Sequence, residues 1–132
     1  MHTGHCLCGQ VTFQIEGELE PIQLCHCSQC RRAQGTPFVS NIPLQKSAFQ
    51  LLSGAQLLKS FESSPGKHRV FCSHCGSPLY STKDDLPGVM RIRAGLLNGP
   101  VATRPGVHIY ASSKADWWSI LDQLPQFERG KA

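Results

Sequence analysis

Cys25-His26-Cys27-Ser28-Gln29-Cys30-Arg31-Arg32 places three thiols within six residues, and the rest of the chain supplies only two tight pairs, Cys6/Cys8 and Cys72/Cys75. A structural zinc takes four protein ligands in a closed tetrahedron, whereas a catalytic zinc takes three and leaves one position for water or substrate. Seven cysteines divide naturally into four and three. Gly9 follows Cys8 and Gly76 follows Cys75. A glycine there lets the chain turn back with positive φ, so that backbone N–H groups face metal-bound sulfur. The triplet has no such glycine. Cys6, Cys8, Cys72 and Cys75 are therefore joined as a structural zinc site, and Cys25, Cys27 and Cys30 as an open, catalytic zinc site, giving two zinc ions per chain.

Alternation of apolar and polar residues organises the remainder. Val11, Phe13 and Ile15 read as a half-buried strand after the first cysteine pair, Lys67 to Phe71 as a strand running into Cys72, and Met90 and Ile92 as a core face opposite a solvated face of Arg91 and Arg93. Val107 and Ile109 alternate with His108 and Tyr110, which are expected at the surface. Phe38 to Leu44 reads as a strand that Pro43 assigns to an edge or an end. Phe49 to Leu52 and Leu57 to Glu62 flank Ser53-Gly54 as a hairpin, Ser28 to Ala33 suits one helical turn stopped by Gly35, and the tail after Pro125 is expected to be irregular. The expectation is a mainly β fold of antiparallel sheets with zinc knuckles and minimal helix, forming a single domain over residues 1–132.

The formal charge of +4 and pI near 8.8 would suggest an anionic polymer as partner. Seven thiolates and two divalent ions would bring the loaded protein to about +1, which argues against nucleic acid. The N-terminal residues have no secretory apolar core, no stretch is long enough for a membrane span, and thiolate ligands need a reducing environment. A cytoplasmic protein is expected, with no membrane partner. Oligomeric state stays open, a homodimer included.

The order G-x-C-x-C-G (Gly4 to Gly9), C-H-C-x-x-C (Cys25 to Cys30), F-C-x-x-C-G (Phe71 to Gly76), A-G-x-L (Ala94 to Leu97), H-I-Y (His108 to Tyr110), Trp117/Trp118 and D-x-L-P-x-F (Asp122 to Phe127) resembles the glutathione-dependent formaldehyde-activating enzyme family, which includes centromere protein V. The resemblance covers nearly the whole chain. It implies an Mss4-like (β-tent) fold, a structural zinc on the outer pairs, a catalytic zinc on the triplet, and a carbon–sulfur lyase activity joining glutathione to formaldehyde, as in S-(hydroxymethyl)glutathione synthase. One departure is Gly95-Leu96-Leu97-Asn98-Gly99-Pro100, where family members often carry G-T-L-D-D-P. Arg31 and Arg32, beside the last ligand, are candidates to hold the glutathione carboxylates through bidentate contacts. The competing readings are a non-catalytic Mss4-like interaction module, and a redox dithiol at Cys27 and Cys30.

Overall fold

The computed structural model describes residues 1–130. Among these, one α-helix and ten strands form two sheets. Strands β1 (His2–His5), β2 (Thr12–Ile15) and β5 (Phe49–Ser53) make a small antiparallel sheet in the order β1-β2-β5. The larger sheet takes β3 (Ile22–Cys25), β4 (Val39–Gln45), β6 (Leu58–Ser64), β7 (Lys67–Cys72), β8 (Pro78–Lys83), β9 (Val89–Arg93) and β10 (Pro105–Ile109), in the order β10-β3-β4-β9-β8-β7-β6. All its pairs are antiparallel except β10 with β3. Helix α1 (Ser28–Gln34) follows β3 and ends where Gly35 enters the left-handed region at φ 66°.

Phe13 and Ile15 from the small sheet meet Ile42 and Ile92 from the large one, each 1% exposed or less. Burial of such side chains is worth about 1.5–3 kcal/mol apiece, so this layer is the main apolar contact between the sheets. Phe49 extends it by stacking on Phe13 at 5.3 Å and tilting onto Tyr80 at 5.7 Å. Two further clusters form around the cysteines. Cys6, Val11, Cys72 and Leu79 pack together at one place, and Cys25, Cys30, Val39, Val107 and Ile109 at another.

The mainly β expectation holds, while several local readings change. Phe49–Ser53 and Leu58–Ser64 do not form a hairpin: the first pairs with β2 and the second with β7. Gly54, at φ 90°, and the 3-10 turn Ala55–Leu57 carry the chain from one sheet to the other. Pro43 lies in an interior strand, although β3 pairing stops at Asn41 and from there β9 is the paired neighbour. Arg93 is buried rather than solvated, because β4 and β8 flank β9 and its guanidinium donates to Asn41 and Ser81. Burial pulls that guanidinium down to about 10. The segment after Pro125 is not a strand of either sheet, yet it follows β10 closely: Phe127 donates to the His108 carbonyl, and His108 donates to that of Pro125.

A Cβ on Gly54 would stand 2.6 Å from the Gln10 carbonyl oxygen and 2.8 Å from the Val11 Cα, besides its left-handed φ. Gly17 has a similar φ of 85° and nothing within 4 Å. Chemical denaturation of the two alanine variants should therefore separate them: Gly17→Ala loses about 1–2 kcal/mol from the φ cost alone, and Gly54→Ala loses about 2–4 kcal/mol because overpacking is added. Equal losses would show that the approach of Gly54 to Val11 carries no weight.

Candidate metal centre

Cys6 and Cys8 occupy the turn between β1 and β2; Cys72 ends β7 and Cys75 lies in the turn before β8. The four sulfurs converge within 4.8 Å of one another, with Cys6 Sγ 3.5 Å from Cys8 Sγ and Cys8 Sγ 3.9 Å from Cys72 Sγ. Gly9 and Gly76 take φ of 79° and 80°, and their N–H groups close the turns onto the Cys6 and Cys72 carbonyls at 3.1 and 2.7 Å. Val11 N–H faces Cys6 Sγ at 3.4 Å, and Ser77 Oγ lies 3.2 Å from Cys75 Sγ while accepting from Leu7 N–H. The Ser77 hydroxyl is the chief cause that holds the Cys75 thiol low, at about 5. A tetrahedron with arms of about 2.3 Å has edges of about 3.8 Å, so the observed sulfur separations suit a four-thiolate metal site. None of the seven cysteines is disulfide-bonded.

The second cluster is assembled differently. Cys25 is the last residue of β3, Cys27 caps α1 by accepting from Cys30 N–H at 3.3 Å, and Cys30 lies one turn on. Their sulfurs also fall within 4.8 Å of one another. Arg69 on β7 presents Nη1 and Nη2 at 3.8 and 3.7 Å from Cys30 Sγ, and its Nε donates to Ser63 Oγ at 2.9 Å. Hydrogen bonding from Cys25 and Cys27, then the Arg69 charge, pushes the Cys30 thiol far below its ordinary range, while hydrogen bonding with Cys27 and Cys30, then burial, pushes Cys25 up. The Arg69 guanidinium thus sets positive charge beside Cys30.

The triplet opens onto a cavity of about 810 Å³ whose wall also carries Lys67, Arg69, Lys83 and Arg91. Sheet register explains the convergence: Lys67 stands directly across from Lys83, and Ser81 lies between Arg69 and Arg91 on neighbouring strands. Like charges directly opposed in a sheet are destabilising. Burial, then the neighbouring Arg69, draws Lys67 down to about 8, so it remains mostly charged at neutral pH. Asp84 and Asp85 also border the cavity, and His68 Nε2 engages Asp84 at 3.0 Å. Arg31 and Arg32 do not line this cavity; Arg31 donates to the His26 carbonyl at 3.4 Å, and Arg32 is exposed. No motif distinguished the wall cations in the sequence. Lys67 and Arg69 share a strand face, but which thiols that face overlooks depends on long-range register.

His108 contradicts the surface reading of its strand. His26 points into the interior and is fully buried; His108 is 2% exposed, covered by the segment after Pro125. His26 Nε2 lies 2.8 Å from His108 Nδ1, and His108 Nε2 lies 2.9 Å from Asp122 Oδ2. Desolvation pulls His26 down to about 4, and the hydrogen bond from His108 holds the Asp122 carboxyl below its usual range. Trp117 and Trp118 sit at the surface, with Trp118 edge-on to Phe38 at 6.0 Å.

With this geometry in place, the family described as Glutathione-dependent formaldehyde-activating enzyme matches residues 1–113. The chain belongs to that family. A curated relative, an uncharacterized lyase of Schizosaccharomyces pombe, is 25% identical over 126 residues, which cover 96% of this chain and 90% of the relative. A crystal structure of a Rhodobacter sphaeroides protein superposes with a TM-score of 0.65 at 20% identity, covering 94% of this chain and 98% of that one. It supports the shared fold. Family membership and the two cysteine clusters agree with the Mss4-like architecture.

The two clusters are expected to differ under mutation. Cys72→Ser removes a thiol from the cluster that joins the sheets and, if that cluster binds zinc, should lower thermal stability heavily or prevent soluble folding, since four-ligand zinc sites in small modules are worth about 10–16 kcal/mol, comparable to a whole domain's stability. Cys27→Ser should fold, melt within a few degrees of wild type and bind one metal ion fewer. Equal melting losses would instead favour two structural sites and a non-catalytic interaction module.

Proposed function

We propose that this protein is a zinc-dependent enzyme of the carbon–sulfur lyase type that joins a thiol, glutathione first among candidates, to a small aldehyde such as formaldehyde, with S-(hydroxymethyl)glutathione as product. One observation carries the reading: three thiols, with no fourth ligand among the described residues, open into a cavity whose wall carries four cationic side chains. Zinc bound at Cys25, Cys27 and Cys30 would supply a Lewis acid with an exchangeable position, which lowers the pKa of an incoming thiol. Cys6, Cys8, Cys72 and Cys75 would hold the structural zinc. The family match and the lyase name of the yeast relative support the reaction class.

The chain's own residues account for binding and orientation. Glutathione carries two carboxylates and one ammonium group, and Lys67, Lys83 and Arg91 suit its anionic ends. Arg69, fixed by Ser63, both steadies Cys30 and directs positive charge at the reacting sulfur. In the reaction the thiolate sulfur forms a bond to the aldehyde carbon, the C=O π pair moves to oxygen, and that oxygen takes up the proton the thiol released. The half-enclosed wall orients the two reactants, and such positioning lowers a bimolecular barrier without covalent participation by the protein. Seven unbonded cysteines suit a reducing compartment, and we place the activity in the cytoplasm.

Two sets of cations give distinct kinetic expectations. Replacing Lys67 and Lys83 together by Met should raise KM for glutathione about tenfold with little change in kcat, because these groups hold ground and transition states alike. Replacing Arg31 and Arg32 together should leave KM within about twofold. The measurement is NMR exchange of S-(hydroxymethyl)glutathione, read as the excess over the spontaneous rate. If zinc-loaded protein gives no excess and calorimetry detects no thiol binding, glutathione is not the substrate; if the Arg31/Arg32 variant carries the KM effect, the carboxylates sit on α1.

A further inference from the structure

Three motifs far apart in the chain meet behind the three-cysteine cluster: His26 of C-H-C, His108 of H-I-Y, and Asp122 of D-x-L-P-x-F. The Asp122 carboxylate, bonded to His108 Nε2 at 2.9 Å, can only accept, so that nitrogen carries the proton. In a neutral His108 the other ring nitrogen, Nδ1, must then accept, and the group facing it at 2.8 Å is His26 Nε2. His26 is thereby required to carry its proton on Nε2. This leaves its Nδ1 bare, and that buried atom has no hydrogen-bond partner among the described residues. The opposite tautomer would leave Nδ1 just as unpartnered and would also set two bare nitrogens against each other at 2.8 Å, forfeiting the His26–His108 hydrogen bond.

His26 is the residue between Cys25 and Cys27, so the direction of its ring and the setting of both sulfurs share one stretch of backbone. Its N–H donates to the Ile109 carbonyl at 3.0 Å, which fixes the main chain, while the ring is hydrogen-bonded by His108 and packed against Phe38. We propose that Asp122, acting through His108, is a positioning residue for the three-cysteine centre: it sets the tautomer of His26, keeps that ring turned from the sulfurs, and so leaves the centre with three ligands and an open position. The proposal rests on the metal-centre reading and is independent of the substrate's identity.

Asp122→Asn is the informative variant because Asp122 Oδ1 also accepts Leu124 N–H at 3.0 Å. An asparagine that keeps this bond turns its amide NH₂ toward His108, which makes His108 Nε2 an acceptor and its Nδ1 a donor. His26 Nε2 must then accept, and its proton moves to Nδ1. Long-range proton–nitrogen NMR of the zinc-loaded protein at about pH 8, above the ordinary histidine range, reads this directly. Wild type and Asp122→Glu should show His26 protonated on Nε2; Asp122→Asn should show it on Nδ1. Zinc release from the three-cysteine centre to a chelator should become about tenfold faster in Asp122→Asn, the scale on which outer partners tune a metal site, with the four-cysteine zinc unchanged.

A wild-type His26 protonated on Nδ1 would overturn the proposal whether or not the variant folds. Two zinc ions in wild type, with His26 tautomer or release rate unmoved in Asp122→Asn, would overturn it and leave the metal-centre reading standing. A single zinc per wild-type chain, insensitive to Cys27→Ser, would overturn both.

Discussion

The four-cysteine cluster is the constraint on which the rest of the structure depends. It joins the turn after β1, in the small sheet, to the end of β7, one strand in from the edge of the large one. Apolar burial between the sheets centres on Phe13, Ile15, Ile42 and Ile92, and a zinc bound by four thiolates would add to it on the scale of a whole domain's stability. The cross-link also positions chemistry. β7 ends at Cys72, and the same strand carries Lys67 and Arg69 to the wall of the second cluster's cavity, so one strand serves both clusters.

Placing Lys67 across from Lys83, with Arg69 and Arg91 nearby, opposes folding through repulsion and desolvation. Thiolate charge at the triplet offsets part of that cost, and an anionic ligand would offset more. The arrangement thus favours binding of negative charge by the folded protein over the stability of the empty cavity. Arg93, buried behind Asn41, adds positive potential that reaches Cys30 and Cys25. These groups are concentrated where the proposed thiolate would form, and a low-dielectric wall strengthens each of them.

Both cysteine clusters were legible from spacing, because metal geometry demands a small number of ligands and turn glycines mark closed knuckles. Strands β2, β7 and β9 were legible from alternation. The pairing of β5 and β6 was not: Ser53-Gly54 has the chemistry of a hairpin turn, but strand partners are chosen by long-range burial, and Gly54 sends the chain across to the other sheet. Burial of Arg93 and His108 escaped for a related reason. Alternation assumes one face in water, and here neighbouring strands and the segment after Pro125 cover the second face. The cavity cations depend on register, which no local pattern encodes, whereas Arg31 and Arg32 stood out by adjacency to Cys30 without reaching the cavity.

In the proposed metal centre, one zinc would be closed by four sulfurs and the other held by three with a position for a thiol. Zinc X-ray absorption of the fully loaded protein reads this as the mean number of sulfur neighbours. Four ligands in one cluster and three in the other predict about three and a half sulfurs per zinc, rising to about four at saturating glutathione. A mean of four before any thiol is added, or a mean that glutathione leaves unchanged, would contradict the account.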